Sequence, residues 1–180
     1  MKSTLIAFCC LASCAIPVLA KSKTKVRPSS MSDQQFIEFA AQTDMMEANI
    51  GQLAASAADG TPIKDYAKVV VTNRTSDYRK LSDAAHQASL TVPTAIDGQL
   101  NKEVVGPFHG LKGAAFDRRY TSEMIARDAT AVDVFQRESV ASKDSALKSY
   151  AAQSLIVFRE RIADAKSLEK QKTSGPTTRS

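Results

Sequence analysis

Residues 32–62 read SDQQFIEFAAQTDMMEANIGQLAASAADGTP. The stripe Phe36, Ala40, Thr43, Glu47, Ile50, Ala54 and Ala57 advances by alternating steps of four and three. That spacing marks one face of an α-helix. Ser32 precedes it with Gln35 three residues on, so hydroxyl and amide can satisfy each other's backbone N–H groups in a capping box. Gly60, Thr61 and Pro62 then read as a stop and a start. Gly60 falls just past the helix, Thr61 is placed to cap the next, and Pro62 suits its first turn. A connection so short forces the first two helices to lie antiparallel.

The same rule extends along the chain. Ile63, Ala67, Val70, Arg74, Asp77, Leu81, Ala84 and Ala88 form the stripe of a second helix. A long connection over 89–115 follows, holding Pro93, Gly98, Gly106, Pro107, Gly110 and Gly113, with Asp97 placed to cap a short helix inside it. Tyr120, Met124, Asp128, Ala131 and Phe135 mark a third helix from about Phe116 to Ala141. Ser142-Lys143-Asp144 turns the chain, and Leu147, Ala151, Ser154, Phe158, Arg161, Ala165 and Leu168 mark a fourth. No strand pattern with period two occurs. The expected fold is all-α: a ferritin-like four-helix bundle whose long connection between helices two and three crosses the length of the bundle.

The chain has 180 residues, 43% apolar and 24% charged, which suits one soluble globular domain. Its net charge of +5 is unevenly spread. Residues 31–168 carry 16 basic and 18 acidic side chains, while the ends hold the other 8 bases and one acid. A nucleic-acid module would carry its positive patch on the folded surface. No nucleic-acid partner is therefore expected. The basic ends suit only weak contact with an anionic membrane surface.

Residues 1–20, MKSTLIAFCCLASCAIPVLA, have a basic start, an apolar stretch and small residues before Ala20. This reads as an export signal cleaved after Ala20. Residues 21–31 read as a disordered linker, 32–169 as the bundle and 170–180 as a disordered polar tail. Leu11-Ala12-Ser13-Cys14 supports an alternative, a lipoprotein anchored at Cys14. All three cysteines lie in the leader. Cleavage after Ala20 leaves a periplasmic or secreted chain with no disulfide, thiolate nucleophile or Cys-based metal site.

Charged residues interrupt every inward stripe: Glu47 on helix one, Arg74 and Asp77 on helix two, Asp128 on helix three and Arg161 on helix four. Buried charges must pair, bind a ligand or reach water. Glu47, Arg74, Asp128 and Arg161 sum to zero, and a guanidinium fork can bond two carboxylates. A shared internal polar cluster is the expectation; the competing reading puts each group at the flank of its stripe, snorkelling to solvent. His86 falls off the stripe and His109 in a Gly-Pro loop, so both read as surface residues. Met45, Met46 and Met124 read as core filler. No P-loop, dinucleotide fingerprint or ordered nucleophile–base motif occurs.

Several segments together resemble the bacterial exported family called domain of unknown function 4142, a predicted ferritin-like bundle. They are Asp33–Phe36, Glu47–Ala54, Tyr66–Val71 with Leu81, Leu90–Thr94, and above all Gly113–Tyr120. The last resembles the signature Gly-x-x-Phe-Asp-x-x-Tyr through Phe116, Asp117 and Tyr120. The resemblance implies a core metal site made by the helix-one Glu, here Glu47, and one His on each other helix. Those His positions fall here on Arg74, Asp128 and Arg161. Arginine is always protonated and cannot ligate. The expectation is therefore no metal and no cofactor, with ion pairs in place of the family's ligands. A non-enzymatic envelope protein, in a stress-related binding or structural role, is the leading reading. A metal-binding or redox protein using Glu47, Asp77 and Asp128 with Met or water is the alternative. Phe116, Asp117 and Tyr120 read as packing and capping at the bundle end.

Overall fold

The structure is a computed structural model that describes residues 31–173. The export signal, nearly all of the linker and residues 174–180 lie outside the described residues. Four long helices dominate: α1 (Asp33–Ala57), α2 (Thr61–Gln87), α4 (Gly113–Ala141) and α5 (Ser145–Thr173). The short α3 (Gly98–Leu100) lies in the connection, followed by a π turn over Asn101–Val105 and a 3-10 turn over Gly106–Phe108. The fold is an all-α, ferritin-like four-helix bundle.

The capping box forms as the sequence demands: Ser32 Oγ accepts from Gln35 N–H, and Gln35 Oε1 accepts from Ser32 N–H. The second start differs by one residue. Gly60, not Thr61, is the N-cap of α2, in extended conformation. Its carbonyl already accepts from Ile63 and Lys64, which places Thr61 and Pro62 inside the first turn. Helix α5 runs to Thr173, past the expected tail start at 170. Polar residues continue a helix readily, and the first strong breakers, Gly175-Pro176, lie beyond.

The helix pairs α1·α2 and α4·α5 make the main contacts, with α2 against α5 and α1 against α4. The connection returns the chain from one end of the bundle to the other. Two glutamines hold it against α1. Gln34 donates to Thr91 O at 2.9 Å and accepts from Thr91 N–H at 3.2 Å. Two turns on, Gln42 donates to Ala95 O at 3.0 Å and accepts from Asp97 N–H at 2.8 Å. Tyr78 adds a 2.7 Å bond to Pro93 O, and Asp97 caps α3.

The apolar core comes in two parts. One gathers Phe36, Ala40, Leu81, Phe135, Tyr150 and Phe158 near the α4–α5 turn. The other gathers Ile50, Ile63, Tyr66, Phe108, Phe116, Tyr120 and Met124 near the α1–α2 turn. Between them, at mid-height on every long helix, lies a polar layer.

Candidate functional site

The layer is built from one turn of each helix. Asp44 and Glu47 come from α1, Arg74 and Asp77 from α2, Asp128 from α4 and Arg161 from α5. All six are at most 2% exposed. Five of them sit on the inward stripes and Asp44 adjoins one, so the helix period that buries the leucines and phenylalanines buries these groups too.

Arg74 donates from Nη1 to Asp44 Oδ1 at 2.7 Å and from Nη2 to Asp77 Oδ2 at 2.6 Å. Its Nε lies 3.8 Å from Glu47 Oε2. Arg161 donates from Nη2 to that same Glu47 oxygen at 2.7 Å and also to Asp128 Oδ1. Glu47 thus joins the two guanidinium groups. Both also lie against the Phe158 ring, at 4.4 Å for Arg74 and 5.1 Å for Arg161. Among the described residues Asp77 alone in the layer also pairs with a half-exposed side chain, through Lys80 Nζ at 3.4 Å. Asp44 Oδ2, Glu47 Oε1, Asp128 Oδ2 and three guanidinium nitrogens have no hydrogen-bond partner among the described residues.

Burial dominates the electrostatics. It pushes the Asp44 carboxyl up to about 8, opposed by Arg74 and assisted by Asp77 and Glu47. Burial likewise lifts Asp128 to about 8, with Glu47 adding and Arg161 opposing. Arg161 is held more basic than usual: its own burial works against the charge, and Glu47 and Asp128 overcome it.

The structure therefore brings Glu47, Arg74, Asp77, Asp128 and Arg161 into one buried, connected set. Asp44 was missed in the sequence. It adjoins Thr43 on the stripe and precedes Glu47 by three residues, a helical spacing that puts both carboxylates on one face. With it, four carboxyls meet two guanidinium groups, not the balanced set that four residues suggested.

Phe116, Asp117 and Tyr120 lie elsewhere. Asp117 is 11 residues from Asp128, roughly 16 Å along α4 at 1.5 Å per residue. Its carboxylate accepts from the N–H groups of Asp59 and Gly60 at 3.2 and 3.4 Å. It thereby ties the α1–α2 turn, whose glycine cap offers no side chain, to the start of α4. Phe116 stacks on Tyr120 at 5.7 Å, and Tyr120 meets Tyr66 edge-on at 5.9 Å. An open cleft of about 760 Å³ at this end is lined in part by Asp59, Asp117, Arg118 and Glu169. His86 and His109 are exposed. Met46 and Met124 are buried in the second apolar cluster.

Over residues 19–168 the chain matches the family described as domain of unknown function (DUF4142). The chain belongs to this family. No curated protein matches it. Among solved structures it is similar to CopM in the Cu(II)-bound form, at 14% identity and TM-score 0.65, covering 77% of this chain and 96% of that one. CopM in the Cu(I)-bound form gives 15% identity, TM-score 0.64, and coverage of 78% and 96%. The Ag-bound form gives 16%, 0.62, and 77% and 96%. At such identities the likeness shows the bundle fold.

The donors of the layer do not fit a divalent cation. Each of its carboxylates has one oxygen bonded to a guanidinium, whose fixed positive charge repels a metal ion beside it. No group of three His, Cys, Asp or Glu side chains is arranged to hold a metal ion among the described residues. No described helix is long and apolar enough to cross a membrane.

Proposed function

We propose that this chain is an exported, non-enzymatic envelope member of its family, a binding or structural bundle in which ion pairs replace core metal ligands. The observation that carries this reading is the pair of buried arginines. Arg74 and Arg161, at 1% and 2% exposure, occupy mid-core positions and hold Asp44, Glu47, Asp77 and Asp128 in hydrogen bonds. A polar layer this closed is costly unless its charges pair, and in this reading the pairing fixes how the four helices register. Export rests on the leader sequence 1–20, and the basic ends suit weak contact with anionic lipid.

Elemental analysis of the purified mature chain, before and after dialysis against copper, zinc and silver salts, tests the reading. We expect less than one tenth of a metal ion per chain to resist a chelator. A stoichiometric ion would overturn it. Mass spectrometry of the mature N-terminus tests export: a start at Lys21 is expected, and a lipidated Cys14 would replace the soluble form with an anchored one.

One observation favours a second reading, metal binding: the fold likeness extends to proteins solved with copper and silver bound. Soft ions prefer thioethers. Copper held here would call on Met45, Met46 or Met124 more readily than on the guanidinium-bound carboxylates. Retention of silver, lost in Met46→Leu and Met124→Leu, would support that reading over the first.

A further inference from the structure

The geometry points to a second polar site, at the end of the bundle where the α4–α5 turn meets the start of α1: Asp33, Glu138 and Ser142 supply oxygen ligands for a hard divalent cation, with calcium the best fit. The site goes beyond the reading of the mid-height layer and does not depend on it. Glu138 is ten residues from Asp128, roughly 15 Å along α4 at 1.5 Å per residue.

Three pieces of the chain converge there. Asp33 opens α1, Glu138 lies in the last turn of α4, and Ser142 caps that helix. Ser142 Oγ donates to Asp33 Oδ1 at 3.3 Å, and the Glu138 carboxyl meets both Asp33 and Ser142. Glu138 and Ser142 are 5% and 4% exposed, whereas Asp33 is half-buried and leaves the site an entrance.

Two carboxyl groups in contact repel once both are ionised, and burial raises the cost. A positive charge between them removes it. No basic side chain supplies that charge: the ion pairs among the described residues all use other carboxylates. Lys143, in the same turn, is exposed. The last turn of α4 holds no basic residue, and its carbonyl groups add negative potential. Glu138 Oε1 is buried without a hydrogen-bond partner among the described residues. A proton shared with Asp33 leaves that oxygen unused, whereas a cation can take both oxygens of a carboxylate.

The donors are carboxylate and hydroxyl oxygens, which suit a hard ion and not copper or silver. Calcium accepts irregular oxygen geometry and fills its remaining positions with water. Asp144 adds charge without adding a ligand, because its Oδ1 caps α5 by accepting from the Ala146 and Leu147 N–H groups at 2.8 and 3.0 Å. Two carboxylates and one hydroxyl make a weak site, with a dissociation constant on the order of 10⁻⁴–10⁻³ M, and a chelator empties it. The bound ion clamps the start of α1 to the end of α4, so it ties the first hairpin to the second at the end of the bundle.

Calcium titration of the chelator-treated mature chain at pH 8, followed by backbone amide NMR at fixed ionic strength, tests the site. Saturable shifts should centre on Asp33, Glu138 and Ser142. With a dissociation constant of about 1 mM, calcium at about 10 mM should lower the unfolding constant about tenfold. Asp33→Asn and Glu138→Gln should each abolish the response and Ser142→Ala should weaken it, while Glu169→Gln, at the other end of the bundle, should leave it intact. If Glu138→Gln fails to fold, the wild-type shift map and Asp33→Asn still decide. Shifts centred elsewhere, no shifts up to about 10 mM calcium, or a response that survives both carboxylate variants overturns the inference. Carboxyls that titrate while calcium does nothing overturn it too, and identify a shared proton as the bridge. None of these results bears on the ion-paired layer.

Discussion

The Arg74 half of the polar layer and the Arg161 half use the same chemistry on different scales. Arg74 bonds Asp44 and Asp77 through two separate nitrogens, and both partners belong to the α1–α2 hairpin. Arg161 serves Glu47 and Asp128 through Nη2 alone, leaving Nε and Nη1 without partners among the described residues, and so links α5 to α1 and α4. One half stiffens a hairpin; the other joins two hairpins. The first also pairs with the half-exposed Lys80, and among the described residues the second pairs with buried side chains alone. Equal charge count therefore does not mean equal consequence.

The largest test of that difference removes each arginine in turn. Arg161→Ala strands Glu47 and Asp128 and should cost about 3–5 kcal/mol of unfolding free energy. Arg74→Ala should fall at the lower end of that range, because Lys80 still reaches Asp77. Denaturant melts at neutral pH would measure both, and a loss below about 1 kcal/mol for either would mean a solvent-screened pair.

Gly51 sharpens the comparison next. A Cβ there would lie 2.8 Å from Val71 Cγ2 and 3.3 Å from Ala67 O, so Gly51→Ala must push α1 away from α2. Overpacking of this kind costs about 1–3 kcal/mol. In a double-mutant cycle it should be additive with Arg161→Ala within about 0.5 kcal/mol and non-additive with Arg74→Ala, whose bonds span the disturbed hairpin.

Smaller effects are expected at the edges. Lys80→Ala removes a half-exposed partner and should cost about 0.2–1 kcal/mol, falling with added salt. Glu138 lies outside the layer, near the α4–α5 turn, and its carboxyl is pushed up to about 7 by burial and by its bond with Asp33. Its contribution is therefore present in acid and lost as pH rises through about 7. Glu138→Gln should leave the melting temperature at pH 5 unchanged and raise it slightly at pH 8.

Much of this was legible in the residues. Four stripes with steps of four and three yield four helices, because a helix buries only what its period brings to one face. The stretch from Ser89 to Ala115, rich in Gly and Pro, is long enough to cross the bundle, and it does so. The five polar residues on the stripes, Glu47, Arg74, Asp77, Asp128 and Arg161, are all buried together. Asp44 was not found, because a stripe drawn through every third or fourth residue is narrower than the face a bundle helix buries. The glycine cap at Gly60 was missed because its amide is satisfied by Asp117, 57 residues away in sequence. Local pattern carries no trace of such a partner. The same holds for Gln34 and Gln42, which look like ordinary surface amides until the crossover passes them.

Those two glutamines have a consequence for how the chain can diverge. Each reads peptide groups, one carbonyl and one N–H apiece, and neither touches a crossover side chain in doing so. Ile96 packs against the core, but identity at the exposed Thr94 and Ala95 is free to drift over generations of descendants. Spacing is not: one inserted or deleted residue between Thr91 and Asp97 would leave a clasp gripping the wrong rung.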